Sequence, residues 1–470
     1  MRLCVVVCLL LAGCPDRTIA ELDPVDNGEI QKDIPVSADI DILFVIDNSG
    51  STQDKQTVFA ANFPKFVDAL DAFVGGRPNL HIGVVSTTVD IGVDGFGGAC
   101  HPATGDDGRL HASASTPGCP TPSDSYISDI AQPTGGRATN YSGNLSDTLS
   151  CIAQLGAAGC GFEAPLEAMK RALDGSRPEN AGFLRNGAFL AVVILTDEDD
   201  CSVSDNSLFT IPAAQAGPGD FRCQPMVAYN CDTAISPTTP GTYSNCSVRT
   251  KSYLEDPATY VQFLDTVKPP GRTVVALIGG DRATTISTGA ITDPFMQPMA
   301  LLPSCHTTLG GHNAIGRPAI RIGDFVDRFG DSGLFESVCQ SDYSQALTDI
   351  GKLLFAEISP CLEGRIDTTD RDADNPGTQL DCTISDVQTA DSGDETEQEI
   401  PACAMSAAET PAAGARPCWW VKSNPATCAT TTGLELHVED QAVTLVRGDR
   451  DDVFSHGYLC PKGTAIRALE

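Results

Sequence analysis

Apolar runs that end abruptly in oxygen-bearing side chains recur along this chain, and they organise its reading. Ile42, Leu43, Phe44, Val45 and Ile46 form an unbroken run rich in β-branched residues, the pattern of a strand buried on both faces of a parallel sheet. It stops at Asp47, Asn48, Ser49, Gly50 and Ser51. The segment LHIGVVSTT at 80–88, the run at 189–196 and Arg272–Gly279 read as further strands. Between them the period changes to that of a helix. Val58, Phe59, Phe63, Phe66, Val67, Leu70 and Phe73 recur at helical spacing, with a break or kink at Pro64. The stretches 143–155, 164–174, 257–267 and 343–357 are helical as well. Strands alternating with helices predict an α/β fold built on a parallel sheet.

Two stretches interrupt that alternation. Residues 91–140 are dense in Gly and Pro around Cys100 and Cys119, and read as an inserted loop stapled through those cysteines. Residues 201–252 carry Cys201, Cys223, Cys231 and Cys246 among Pro, Gly, Ser and Thr, a second and cross-linked insertion. Residues 14–37 show neither period and read as a tether. Over 361–470 the texture changes to short, Cys-rich segments of mostly β or irregular character, with strand-like runs LELHVED and AVTLV. There the acidic positions Asp391, Asp394, Glu395, Glu397 and Glu399 read as a solvated loop.

Composition narrows the partners. A chain of 470 residues with 41% apolar content can bury a sizeable core and make two or three domains. Its formal charge of -32 repels nucleic acid and anionic membrane surfaces, and favours cations. The first residues, MRLCVVVCLLLAGC, read as a secretory signal over 1–13. Leu11, Ala12, Gly13 and Cys14 resemble a bacterial lipobox, which implies cleavage before Cys14, lipidation of its thiol and attachment to the membrane through that lipid. Setting aside Cys4, Cys8 and Cys14, the sixteen remaining of 19 cysteines are an even set in an exported chain, and read as disulfides.

The candidate chemistry lies at the strand ends. Asp47, Ser49 and Ser51 stand at alternate positions and offer one carboxylate and two hydroxyls, the donors of a hard divalent cation. Alone, the triplet is equally a Ser-rich turn capping the next helix. A second buried run, AVVILTDEDDCS at 191–202, also ends in a carboxylate, Asp197. Together the two runs resemble the von Willebrand factor type A family, whose metal-ion-dependent adhesion site matches Asp47, Ser49, Ser51 and Asp197. The resemblance covers 38–360 and implies a Rossmann-like parallel sheet flanked by helices. It also implies a Mg²⁺ or Ca²⁺ ion whose open coordination position takes an acidic residue of a protein partner. More closely, the chain looks like secreted bacterial lipoproteins that carry this domain. Where the family usually has Thr, between Cys151 and the helix beginning near Ala164, this chain has GAAGCGFEA, whose only oxygen-bearing side chain is Glu163. Glu163 then ligates the ion directly or through water, or is simply a first-turn acid favoured by the helix dipole.

Other signals are weaker. Asp370, Asp372 and Asp374, with Asp381 at the twelfth position, have the spacing of a calcium loop. Asn375 replaces its usual Gly and Asp381 its longer Glu, so an acidic loop between Cys361 and Cys382 is the alternative. Cys305, His306 and His312 lack the second ligand pair of a zinc site, and the triplet Arg447, Gly448, Asp449 is too short to carry recognition. No G-x-S-x-G, H-E-x-x-H or P-loop string names a catalytic residue. The expectation is an envelope-anchored, metal-dependent binding module and not an enzyme. The alternatives are an extracytoplasmic metal-assisted hydrolase and a structural envelope scaffold.

Overall fold

The computed structural model describes residues 39–358 apart from 74–75, 94–97, 102–105, 115, 133, 213–214, 216–222, 224, 270 and 290–298. Beyond these it describes 384–389, 395–406, 412, 414, 418–423, 434–439 and 446–447. Cys14 with the signal and tether, the loop of Asp370, Asp372, Asp374 and Asp381, and Gly448 and Asp449 lie outside the described residues. The chain divides into two compact units, of which the larger is Asp33–Pro360.

The larger unit is an α/β fold with a mixed central sheet. In chain order its main elements are β1 (Asp39–Ile46), α1 (Gln53–Ala61), α2 (Phe63–Asp71), β2 (Asn79–Ser86), β3 (Ile127–Ala131), β4 (Arg137–Thr139), α3 (Leu145–Ile152), α4 (Pro165–Leu173) and β5 (Phe189–Leu195). There follow α5 (Pro257–Val267), β6 (Thr273–Gly279), α6 (Ile320–Asp327), β7 (Gly333–Ser337) and α7 (Ser344–Ile358). The sheet order is β7-β6-β5-β1-β2-β3-β4. Strands β7, β6, β5, β1 and β2 run parallel, while β3 and β4 close one edge antiparallel.

Alternation explains why β1 is apolar throughout. Ile40, Ile42, Phe44 and Ile46 face a layer made of α1, α2, α3 and α7, whereas Leu43 and Val45 face α4, α5 and α6. Both faces are dry, so both sets of positions are apolar. Phe44 is the hub of the first layer, with edge-on contacts to Phe59, Phe63 and Phe66 at centroid distances of 5.8, 5.4 and 5.7 Å. The expected kink at Pro64 is a break between two helices at Asn62. Pro64 sits in the first turn of α2, where its missing N–H leaves no hydrogen bond unmade.

Residues 91–140 depart from the expectation of an inserted loop alone, because β3 and β4 lie within them. Both are short, β4 forming the edge of the sheet, and β3 carries a buried acid that masks its period. Asp129 is held there by Arg77 at 3.0 Å and by the Arg137 guanidinium. The staple also differs in its ends: Cys100 bonds Cys160 and Cys119 bonds Cys151, so the segment is tied to the turn preceding α4 and to α3. In 201–252 the bonds are Cys201–Cys223 and Cys231–Cys246. The two interrupting segments, together with Cys160 and Phe162 of the turn, share a core of their own, with Ile91, Leu208, Phe209, Tyr229 and Tyr243.

Every cysteine among the described residues is paired. Cys305–Cys339 joins the hairpin Cys305–Leu309/His312–Gly316 to the end of β7, and Cys403–Cys418 lies in the second unit. Six such bonds mark an oxidising compartment. Among the described residues no helix is long and apolar enough to cross a membrane.

In the second unit, Ile384–Thr389 pairs antiparallel with Glu395–Ile400, and Cys418–Ser423 with Leu434–Glu439. Glu395, Glu397 and Glu399 are therefore strand residues where a loop was expected. The strand ends in exposed Glu399 and buried Ile400.

Candidate functional site

Strand order locates the site. From β1 the chain crosses to β2 on one side, and it later returns to place β5 on the other. Loops leaving β1 and β5 therefore diverge to opposite faces and open a crevice between them, the switch point where open α/β sheets bind ligands. Asp47 follows β1 directly, and Asp197 follows β5 after Thr196.

The loop after β1 is held by its own backbone. Asp47 N–H donates to Leu195 O at 2.9 Å, which ties it to β5. Thr52 Oγ1 donates to the carbonyls of Asp47 and Ser49 at 2.9 Å each. Gln56 Nε2 reaches the Asp47 carbonyl at 2.6 Å and the Gly156 carbonyl at 2.8 Å, so α1 is bolted to both loops. At the start of α1, Thr52 makes no side-chain cap bond. The hydroxyls of Ser49 and Ser51 are not caps either: they lie 3.4 Å apart, and Ser51 Oγ donates to Asp197 Oδ1 at 3.0 Å.

Two buried carboxylates thus meet two hydroxyls. Asp47 is fully buried; its Oδ1 accepts from Ser49 N–H at 2.8 Å and its Oδ2 from Thr196 Oγ1 at 2.7 Å. Burial, reinforced by the charge of Asp197, pushes the Asp47 carboxyl up to about 6 despite those hydrogen bonds. Asp197 is buried as well, and its Oδ2 pairs with Lys55 Nζ at 2.8 Å.

The structure brings Asp47, Ser49, Ser51 and Asp197 together, and it does not gather Glu163 with the two acids. Among the described residues no three His, Cys, Asp or Glu side chains converge on one point. Glu163 is buried; its carbonyl accepts from Cys201 N–H at 2.7 Å, which fixes the turn to the segment beyond Asp197. The turn approaches the site with its backbone. Gly159 N–H donates to Asn48 O at 2.7 Å, and a Cβ on Gly159 would stand 2.1 Å from Asn48 Oδ1. Cys160 N–H donates to Thr88 Oγ1 at 3.0 Å, and Thr88 Oγ1 donates to Asn48 Oδ1 at 2.8 Å.

Of the acids in TDEDD only Asp197 takes part. Glu198 pairs with Arg317 at 2.8 Å. Asp199 is buried and accepts from the backbone N–H groups of Ile320, Arg321 and Ile322 at the start of α6, and from Tyr229 Oη at 2.7 Å. Its carboxyl is raised, by burial more than those bonds lower it. Asp200 pairs with Arg321 at 3.2 Å and accepts from Leu166 N–H at the start of α4. These two acids are helix-start anchors.

Sequence reading missed Lys55, Asn48, Thr196 and Gln56. For Lys55 a signal existed, since a residue four positions after Ser51 and inside a new helix faces back toward that serine. The donor chemistry fits a hard divalent cation: two carboxylates and two hydroxyls, all oxygen, with Asp197 Oδ1 and the serines converging.

Comparison with known proteins gives only shallow likenesses. The model of the molybdopterin oxidoreductase Fe4S4 domain family matches residues 419–469. That span has two cysteines, Cys428 and Cys460, where a four-iron cluster takes four thiolates, so the match does not fit such a cluster. No curated protein matches the chain. Among solved structures, the chain is similar to a von Willebrand factor type A protein from Catenulispora acidiphila at 10% identity and a TM-score of 0.27, covering 75% of this chain and 46% of that one. It is similar to the pilus adhesin SpaC from Lactobacillus rhamnosus GG at 12% identity and a TM-score of 0.31, covering 78% and 37%. A third likeness is to the pilus adhesin RrgA from Streptococcus pneumoniae, at 10% identity and a TM-score of 0.19, covering 69% and 42%. The chain thus spans less than half the length of each. With overlaps this shallow, the fold rests on the strand order itself.

Proposed function

We propose that this chain is a protein-binding module of the von Willebrand factor type A kind, which captures an acidic residue of a partner through a divalent cation. Asp47, Ser49, Ser51 and Asp197 would hold Mg²⁺ or Ca²⁺. The ion would supply an electrophilic point for a carboxylate oxygen. The observation that carries the reading is the meeting of Ser51 Oγ and Asp197 Oδ1 at 3.0 Å across the switch point, joined there by buried Asp47. Hydroxyls that were merely capping a helix would point into α1 and not at a carboxylate one strand away.

What supports binding is that the polar groups around Asp47 and Asp197 engage one another: Asp47 accepts from Ser49 and Thr196, and Asp197 pairs with Lys55. The net charge of -32 argues against nucleic acid as the ligand. An anchor through lipidated Cys14 would hold the module on a bacterial cell envelope. The test is capture of envelope proteins by the full chain, with wild type and Asp47→Ala compared in Mg²⁺, in Ca²⁺ and in chelator. Capture that needs the ion and Asp47, while circular dichroism stays unchanged, supports the reading. Capture that survives both chelator and Asp47→Ala overturns it.

A further inference from the structure

We propose that Lys55 is a resident cation of this site, competing with the divalent ion for Asp197 and so weakening metal binding until a partner's carboxylate arrives. The proposal rests on the reading of the site as a cation centre and deepens it.

Lys55 is 1% exposed, although lysine is almost never fully buried unless paired. Its Nζ contacts Asp197 Oδ2 at 2.8 Å and the Ser51 carbonyl at 2.9 Å, with Asp54 Oδ1 at 3.8 Å. The ammonium is thus bound by two of the residues that would hold the metal. The helix puts it there: Lys55 lies in the first turn of α1, and helical side chains lean toward the N-terminus, here toward the Asp47–Ser51 loop.

The consequence is electrostatic. Around the site Glu198 is matched by Arg317, and Asp54 stands 3.8 Å from the ammonium on a side chain a quarter exposed to water, so the buried charges in direct contact at the loop are Asp47, Asp197 and Lys55. With both carboxylates ionised these leave one net negative charge, and a dication turns it into one net positive charge. A single carboxylate from a partner restores neutrality. Without Lys55 the two aspartates would satisfy a dication by themselves. The ammonium therefore repels the ion at Asp197 and keeps the loaded site in need of an anion, in a setting where little water screens the charges. Lys55 acts through Asp197 and is a specificity-determining residue of the site.

Mn²⁺ titrated by calorimetry into the full chain tests this, with wild type, Lys55→Gln, Lys55→Met and Asp47→Ala compared, and thermal denaturation run with and without the ion. Lys55→Gln keeps a donor near Ser51 O, and Lys55→Met keeps the apolar stem. The expected result is Mn²⁺ binding at least about tenfold tighter in both Lys55 variants. Their metal-free melting temperature should fall and be restored by the ion, while Asp47→Ala binds none. Detection of binding only in the Lys55 variants supports the proposal equally. Affinity equal to or weaker than wild type in both, with Asp47→Ala still inactive, overturns it and leaves the cation reading intact. Lys55 variants that stay unfolded even with the ion overturn it too, since the charge is then a structural requirement. Equal binding by wild type and Asp47→Ala, or no binding by any of the four, removes the cation reading and this proposal with it.

Discussion

Asp47 is an acid placed where its charge is resisted, and its pH behaviour follows. Its carboxyl is pushed up to about 6 from 3.8, by burial first and by the charge of Asp197 second. Between those values the folded chain binds more proton than the unfolded chain, so this group's contribution is full below about pH 4 and is lost as pH rises through about 6. The loss is about 3 kcal/mol at 1.36 kcal/mol per pH unit. Metal-free protein should therefore show falling denaturant stability from pH 4 to pH 7, and Asp47→Asn should flatten that slope. An unchanged slope in Asp47→Asn would assign the effect to another group. Asp47 and its serines were legible because a buried strand ending in Asp-x-Ser-x-Ser puts oxygens at a strand terminus. Which acid of TDEDD completes the set was legible only as a pattern. Asp199 and Asp200 are chemically identical to Asp197, and what separates them is that α6 and α4 present their N–H groups to those two.

Among elements, the turn before α4 sets the shape of the crevice. It touches the loop after β1 through Gly159, whose lack of a side chain permits the approach to Asn48. Gly159→Ala should cost about 1–3 kcal/mol, the usual effect of overpacking, and should weaken ion binding by displacing Asn48 from its place beside Asp47. Thermal denaturation and Mn²⁺ calorimetry on the same preparation check both. Equal stability and affinity would show that Asn48 yields without moving the loop after β1. The strands β1, β2, β5 and β6 and most helices were readable because they are long and strictly periodic. Strands β3 and β4 were not, because a five-residue strand with a buried Asp129 and a three-residue edge strand have no apolar period to detect. Helix α6 was also missed. Its place is fixed by Asp199, 121 residues away in sequence from Ile320, a relation no local pattern contains.

At the scale of the molecule, disulfides tie the insertions to the site. Cys100–Cys160 joins the first insertion to the turn that carries Gly159, across 60 residues. Replacing both cysteines by Ala should lower stability by about 2–4 kcal/mol, read by denaturant unfolding. It should also lower ion affinity if the bond fixes the turn; unchanged affinity would limit the bond to stability. The proposed membrane anchor is testable in the same spirit. Protein isolated from its native envelope should partition into detergent, and Cys14→Ser should move it to the aqueous phase, because two or three acyl chains give an attachment that one does not. A Cys14→Ser protein that partitions like wild type and carries the same added mass removes the lipid.

Sequence by itself determined the α/β alternation, the apolar strands, the oxygen-rich ends of β1 and β5, the even set of cysteines and the acidic balance. Each of these is a local or compositional property, decided by side-chain period or by counting. Tertiary structure alone decided which distant groups share a crevice. It placed Ser51 against Asp197, brought the backbone at Gly159 to Asn48, and set the ammonium of Lys55 on Asp197. The physical reason is that strand order is set by non-local packing of both sheet faces, and only strand order makes neighbours of loops that are some 150 residues apart, as for Thr196 and Asp47 at a separation of 149.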